Sequence, residues 1–224
     1  MEYIISVLRK KRNSDEQYVQ SFNYESNNLD TSLLQVLTEI NNQYNEDIAF
    51  EYSCSQKKCG ACSAIINNHP KLLCQTRLKD YDNEIRIEPL RKFPVVCDLI
   101  VDRSILFENL KRLKLWLSED ANVSEKNNEQ VYKSSECILC GLCLEVCPNF
   151  NVESIFYGPA SISLTSKIVL EGDVETKNKL KKEYQEHIYN GCGRSLACVN
   201  VCPKKIRIDK LLVNLNGLSI WKKR

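Results

Sequence analysis

Cys137, Cys140, Cys143 and Cys147 stand in the order C-x2-C-x2-C-x3-C, and a proline follows the last of them. Thiolates are soft donors suited to iron, and this spacing, closed by Cys-Pro, is one by which bacterial-type iron–sulfur clusters are held. Each two-residue gap lets neighbouring thiolates converge on one face of a tight turn, while the fourth points away. In two-cluster proteins the Cys before Pro belongs to the other cluster, so this run demands a partner run. Cys192, Cys198 and Cys202-Pro203 supply it. Aligned on the closing Cys-Pro, the second run reads C-x2-S-x2-C-x3-C-P, with Ser195 at the place of a fourth ligand. A serine hydroxyl is a harder and far less acidic ligand than a thiol, so one cluster is expected to lack an iron at that corner.

A third group lies nearer the N-terminus. Cys54, Cys59 and Cys62 follow C-x4-C-x2-C spacing, and Cys74 comes after them. This is the plant-type [2Fe-2S] arrangement. Gly60 inside the loop lets the backbone approach inorganic sulfur, where amide donors favour the reduced, more negative state. Lys57 and Lys58 in the same loop read as a solvated charge pair. Eleven of the twelve cysteines then have a place: four for [2Fe-2S], four for [4Fe-4S] and three for [3Fe-4S]. Cys97, in the apolar run that begins at Phe93, reads as a buried, inert thiol. Zinc also accepts four-cysteine sites, but it does not need a triple C-x2-C-x2-C closed by Cys-Pro. His69 and His187 stand apart from each other and from the cysteine runs, and read as surface or loop histidines.

These thiols need elements to position them. Residues 3–8 and 18–24 are β-prone runs around a charged turn from Lys10 to Glu16, which predicts a hairpin. Asp30, Thr31 and Ser32 offer N-caps to a helix whose Leu33, Val36, Leu37 and Ile40 share one face. Hairpin, helix and Cys-rich loop is the order of a β-grasp ferredoxin. Strands around Ser63 to Ile66 and Glu84 to Glu88 close it, and Pro89 to Pro94 is its exit. From Ser104 onward Ile105, Leu106, Leu110, Leu113 and Leu117 recur at helical spacing. The polar run Glu119 to Gln130 reads as a loop. Ile162 to Leu170, entered through Gly158-Pro159, and Val174 to Ile188 suit two helices that bring the cysteine runs together. Ile208 to Trp221 suits a final helix. The expected class is α+β: a β-grasp plant-type ferredoxin domain over residues 1–103, then a helical bacterial-type ferredoxin domain over residues 104–224.

A length of 224 residues, 43% of them hydrophobic, suits one or two globular domains. With 31 basic and 29 acidic residues, the formal charge of +2 gives no electrostatic reason to expect nucleic acid as a partner. The N-terminus places its apolar residues before its basic ones, unlike a signal peptide. The cysteines are therefore read as ligands in a reducing compartment rather than as disulfides. The longest apolar stretches fall short of the ~20 residues that span a bilayer, which leaves a peripheral membrane role.

Three clusters in one chain form a wire, so substrate and two-electron chemistry belong to a partner with an organic cofactor. No G-x-G-x-x-G fingerprint marks this chain as the flavoprotein. The plant-type set, then Glu136 to Cys140 with its Cys-Pro, then Gly158-Pro159-Ala160, then Cys-x5-Cys-x3-Cys-Pro-Lys closely resembles the iron–sulfur subunit of succinate dehydrogenase and fumarate reductase. The likeness covers nearly the whole chain, including Phe93 to Asp102.

The resemblance implies that Cys54, Cys59, Cys62 and Cys74 hold [2Fe-2S] near the flavin of a catalytic subunit. It implies [4Fe-4S] on Cys137, Cys140, Cys143 and Cys202, and [3Fe-4S] on Cys147, Cys192 and Cys198 beside the quinone of a membrane anchor. The expected role is that of a non-catalytic electron-transfer subunit, with an FAD-containing subunit and an anchor as partners, on the cytoplasmic face of the cell membrane. Ubiquinone-reducing members carry a Trp shortly after the first Cys-Pro and a His after the Cys that opens the second run. Here Asn149-Phe150-Asn151-Val152 and Gly193 stand at those places, which fits menaquinone or an acceptor other than quinone. The alternatives are an iron–sulfur adaptor of another flavoenzyme or thiol/disulfide-linked fumarate reductase, and a purely structural metal module. Trp221-Lys222-Lys223-Arg224 reads as a solvated tail, with contact to anionic lipid as its alternative.

Overall fold

The computed structural model describes residues 1–117, 120 and 128–217. They form two compact units, Met1–Asp102 and Arg103–Arg224.

In the first unit β1 (Glu2–Lys10) and β2 (Gln17–Glu25) form the expected antiparallel hairpin, with Ile5 opposite Phe22. Strand alternation sends Tyr3, Ile5, Val7 and Arg9 of β1 inward. Helix α1 (Leu33–Tyr44) starts where Ser32 accepts the N–H of Gln35 at 3.2 Å, and ends on Asn45 in the left-handed region. Its Leu33, Leu34, Val36, Leu37 and Ile40 are buried, each contributing ~1.5–3 kcal/mol. Strands β3 (Ser63–Ile66), β4 (His69–Leu72) and β5 (Glu84–Glu88) complete a five-stranded sheet of order β2-β1-β5-β3-β4, in which β1 and β5 run parallel.

Two short hairpins went unpredicted. One joins β3 to β4 through Asn67 and Asn68, both at positive φ as a tight hairpin turn requires. The other pairs β6 (Val95–Cys97) with β7 (Ile100–Val101). Cys97 is half-buried, which corrects the expectation of a buried thiol: all three residues of β6 are half-buried, because a two-stranded ribbon has no further strand to cover it.

The second unit is helical. Helix α2 (Ser104–Arg112) is shorter than its periodicity suggested. Lys114 turns left-handed and Leu115 N–H bonds Leu110 C=O at 3.2 Å, so the chain leaves the helix before Leu117. Helix α3 (Asn128–Ser135) begins inside the run expected to be a loop. Tertiary contacts override its polar composition: Ser134 is fully buried, and Gln130 accepts from Asn214 at 2.9 Å. Residues 119 and 121–127 of that run lie outside the described residues.

Helix α4 (Leu142–Glu145) lies within the first cysteine run, and α5 (Pro159–Glu171) opens on its proline. Helix α6 (Val174–Tyr184), capped by Asp173, runs on through a wider turn, Gln185–Tyr189. Helix α7 (Ala197–Val201) lies within the second run, and α8 (Ile208–Asn216) follows it. The rest of the expected last helix, and the tail Trp221 to Arg224, lie outside the described residues. Ile162, Leu180, Tyr184, Ile188, Leu211 and Leu215 form the core, with Cys137, Cys143, Cys192 and Cys202 packed against it. No described helix is long and apolar enough to cross a membrane.

Candidate metal centres

Between α1 and β3 the backbone alternates in hand: Ser55, Lys57 and Gly60 have φ of 52°, 60° and 73°. Such alternation turns successive N–H groups toward one side, making a concavity for negative charge. Its occupant is a sulfur. The N–H groups of Gln56, Lys58 and Cys59 donate to Cys54 Sγ at 3.3, 3.2 and 3.3 Å. The donors from Gln56 and Lys58 are the main reason the Cys54 thiol falls to about 6. Cys62 and Cys74 are buried, and burial pushes the Cys62 thiol up to about 12, with Cys74 and Cys59 near enough to act on it. All four expected cysteines of this unit therefore share one neighbourhood.

The segment leading into this loop is held by a feature that sequence reading missed. Buried Arg9 forms an ion pair with Asp98, its Nε 3.0 Å from Asp98 Oδ1. Asp98 also accepts the N–H of Lys10 at 3.0 Å and of Ala49 at 2.8 Å, which fixes the chain shortly before Cys54. No local pattern signals this pair, because its members come from β1 and from the turn between β6 and β7.

In the helical unit Leu139 and Gly141, on either side of Cys140, are left-handed with φ of 50° and 84°. Non-glycine residues rarely adopt this region, and clusters of such residues mark functional loops. The turn aims Leu139 N–H at Cys137 and Leu142 N–H at Cys140. Burial nevertheless dominates here, raising the Cys137 thiol and pushing Cys140 up to about 12. At Cys143 burial raises the thiol well above its ordinary value, reinforced by Cys140, Cys137, Cys202 and Cys198. Cys202, from the second run, thus shares the surroundings of three cysteines of the first, and accepts Ile206 N–H at 3.4 Å. Cys198 is raised by burial to about 11, reinforced by Cys147 and Cys192. Ser195 is exposed in the loop between left-handed Arg194 and Leu196.

Among the described residues no three of His, Cys, Asp and Glu gather tightly enough for one metal ion. Thiols near enough to act on one another are Cys59, Cys62 and Cys74 in the sheet unit and cysteines of both runs in the helical unit, and a polynuclear cluster is bound by such spread thiolates, one to each corner. An all-sulfur donor set with N–H groups aimed at the sulfurs fits such clusters. His69 is exposed on β4. His187 is half-buried and helical rather than a loop residue. It lies in the turn that continues α6, stacks on Tyr157 with ring centroids 4.2 Å apart, and has Nδ1 2.9 Å from Ile155 O.

A sheet unit with a plant-type cysteine loop, joined to a helical unit in which two cysteine runs cross, defines a protein built from two ferredoxin domains. Residues 4–108 match the 2Fe-2S iron-sulfur cluster binding domain family, and residues 133–206 match the 4Fe-4S dicluster domain family. The chain is 35% identical over 179 residues to the succinate dehydrogenase iron-sulfur subunit of Bacillus subtilis, a match covering 75% of this chain and 71% of the relative. It is 32% identical over 225 residues to the fumarate reductase iron-sulfur subunit of Haemophilus influenzae, covering 90% and 87%. A chain of the Mycobacterium smegmatis Sdh1 complex in the apo form shares the fold, with TM-score 0.80, 22% identity and 96% of each chain covered. This chain belongs to the family of iron–sulfur subunits of succinate dehydrogenase and fumarate reductase.

Proposed function

We propose that this chain carries electrons between the flavin of an FAD-containing catalytic subunit and quinone at a membrane anchor, and is not itself the site of substrate chemistry. The observation that supports this best is the crossing of the two runs: Cys202 acts on Cys137, Cys140 and Cys143 of the first, and Cys147 acts on Cys198 of the second. In this reading Cys54, Cys59, Cys62 and Cys74 hold [2Fe-2S], and Cys137, Cys140, Cys143 and Cys202 hold [4Fe-4S]. Cys147, Cys192 and Cys198 hold [3Fe-4S], with Ser195 at the corner that lacks iron. The two compact units, which meet between Asp102 and Arg103, correspond to the [2Fe-2S] domain and the two-cluster domain. Each bound cluster would supply one-electron redox chemistry.

The chain's own residues hold the thiolates and offset their charge, as the three N–H donors to Cys54 do. Membrane association is peripheral, on the cytoplasmic face, through the anchor. Asn149 to Val152 and Gly193, where ubiquinone-reducing relatives carry Trp and His, favour menaquinone over ubiquinone.

Anaerobic purification with native partners tests the reading. The expected preparation contains a flavoprotein, a helical membrane subunit, succinate–fumarate turnover and three distinct cluster EPR signals. Cys147→Ser should remove the [3Fe-4S] signal and Cys202→Ser the [4Fe-4S] signal, each opposite to the run in which the residue sits. Ser195→Cys should convert [3Fe-4S] to [4Fe-4S] and lower its potential, since another thiolate adds negative charge. Two [4Fe-4S] clusters in the unaltered protein would overturn the assignment.

A further inference from the structure

Cys192 stands between two glycines, Gly191 and Gly193, and neither has a left-handed φ. Their need is for space. A Cβ on Gly191 would lie 2.5 Å from Phe156 Cβ, and one on Gly193 would lie 2.9 Å from both Nδ2 and Oδ1 of Asn149. Phe156 is 3% exposed, so the first contact is set by a core side chain with nowhere to move. Asn149 is exposed, but its Nδ2 donates to Gly191 O at 2.9 Å, so the second contact is set by a side chain held by a hydrogen bond. Both gripping residues come from the segment that follows Cys147. Asn149 is two residues from Cys147, and the carbonyl that it binds immediately precedes Cys192.

We propose that Asn149 is a positioning residue that clamps the Gly191-Cys192-Gly193 turn to the end of the first cysteine run, and so sets the separation of the Cys147 and Cys192 sulfurs. This rests on the reading that those two cysteines hold the same [3Fe-4S] cluster. The clamp has a directional logic. A methyl group on Gly193 is accommodated only by pushing the end of Asn149 away, which breaks its bond to Gly191. Gly193→Ala and Asn149→Ala therefore release the same contact, and together they do no more than either alone. A methyl group on Gly191 finds no such escape, because Phe156 is packed from behind.

The test uses the cluster-loaded full chain, purified anaerobically with its partners, and reads the [3Fe-4S] EPR line shape, its spin count per chain and its midpoint potential. The [2Fe-2S] and [4Fe-4S] signals serve as internal standards of folding. Asn149→Ala and Gly193→Ala should each broaden the [3Fe-4S] signal, shift its potential in the same direction and lower its spin count about twofold or more, with the other two signals intact. The double variant should match the singles rather than sum them, as expected of residues that share one contact. Gly191→Ala should cost more of the signal than either. If both singles leave line shape, potential and spin count unchanged, or if their effects add, the clamp is refuted. Should Gly191→Ala also lose the [4Fe-4S] signal, the unit has misfolded, and the exposed truncation Asn149→Ala decides. Failure of the underlying reading is separately visible: Cys147→Ser or Cys192→Ser would then spare the [3Fe-4S] signal in an otherwise unaltered chain.

Discussion

In the sheet unit the cysteine loop is exposed, and backbone N–H groups draw the Cys54 thiol down to about 6. In the helical unit burial leads the shifts: Cys140 is pushed up to about 12, and Cys143 is raised well above its ordinary value. In the first site backbone dipoles favour the Cys54 thiolate, while burial pushes its neighbour Cys62 up to about 12. In the second, burial opposes charge at Cys137, Cys140, Cys143 and Cys198, and thiol contacts are part of the packing. Metal binding in such a site is folding energy as well as site energy. The sheet unit, by contrast, has a separate core of strands and α1 to rest on.

The strongest way to break this contrast is to remove iron. Chelation under reducing conditions should strip the helical unit of most of its amide exchange protection while the β1, β3 and β5 amides remain protected, because structural metal binding is worth ~10–16 kcal/mol in small metal-dependent domains. Equal loss of protection in both units would show that the sheet core is no more independent than the helical one. Single ligand changes sharpen the contrast. Cys59→Ser should abolish the [2Fe-2S] EPR signal and leave the other two. Cys143→Ser should abolish [4Fe-4S] and also lower the melting temperature of the helical unit, since it sets a hydroxyl against the apolar core at a cost of ~1–3 kcal/mol. Unchanged melting of Cys143→Ser would argue that its burial has no structural consequence.

Within the sheet unit the Arg9–Asp98 pair is the buried electrostatic element, with side chains 6% and 4% exposed. Asp98→Ala leaves Arg9 without its most buried partner and should cost roughly 3–5 kcal/mol in denaturant unfolding. It should also broaden the [2Fe-2S] signal, because Ala49 loses its acceptor just ahead of Cys54. A Cys54 loop with an unaltered spectrum would separate this pair from the site.

The smallest expected effect is a pH dependence at Glu88 in β5. Burial acts to raise its carboxyl, but hydrogen bonds from Arg91 and Arg86 outweigh it and hold the group below its usual value. A carboxyl depressed in the folded state contributes stability that is fully present above the unfolded value, about 4.3, and lost as pH falls through the folded one. Both arginine side chains are about half exposed, so Glu88→Gln should remove about 1 kcal/mol or less of that acid-sensitive stability. Unfolding curves of the two proteins that stay parallel from neutral pH to strong acid would contradict it.

Much of this protein was legible in its residues, because the signals involved are local. The spacing of Cys137, Cys140 and Cys143 is a property of one turn, the Ser32 cap and the Leu33-to-Ile40 face belong to one helix, and Ser63–Ile66 and Glu84–Glu88 emerged as strands. The two-residue strand β7, three-residue β6, and helices α4 and α7 were missed because they are too short to show a period. Other features depended on chain segments that meet only after folding. Tertiary structure alone brought Arg9 to Asp98, gave Cys97 an open face and seated His187 on Tyr157. It alone placed Cys54 under backbone dipoles and Cys62, Cys140 and Cys143 under the influence of burial, since neither dipole direction nor depth is written in the spacing of cysteines. And it alone revealed why glycine stands on both sides of Cys192, where the space is taken by Asn149 and Phe156 from a distant part of the chain.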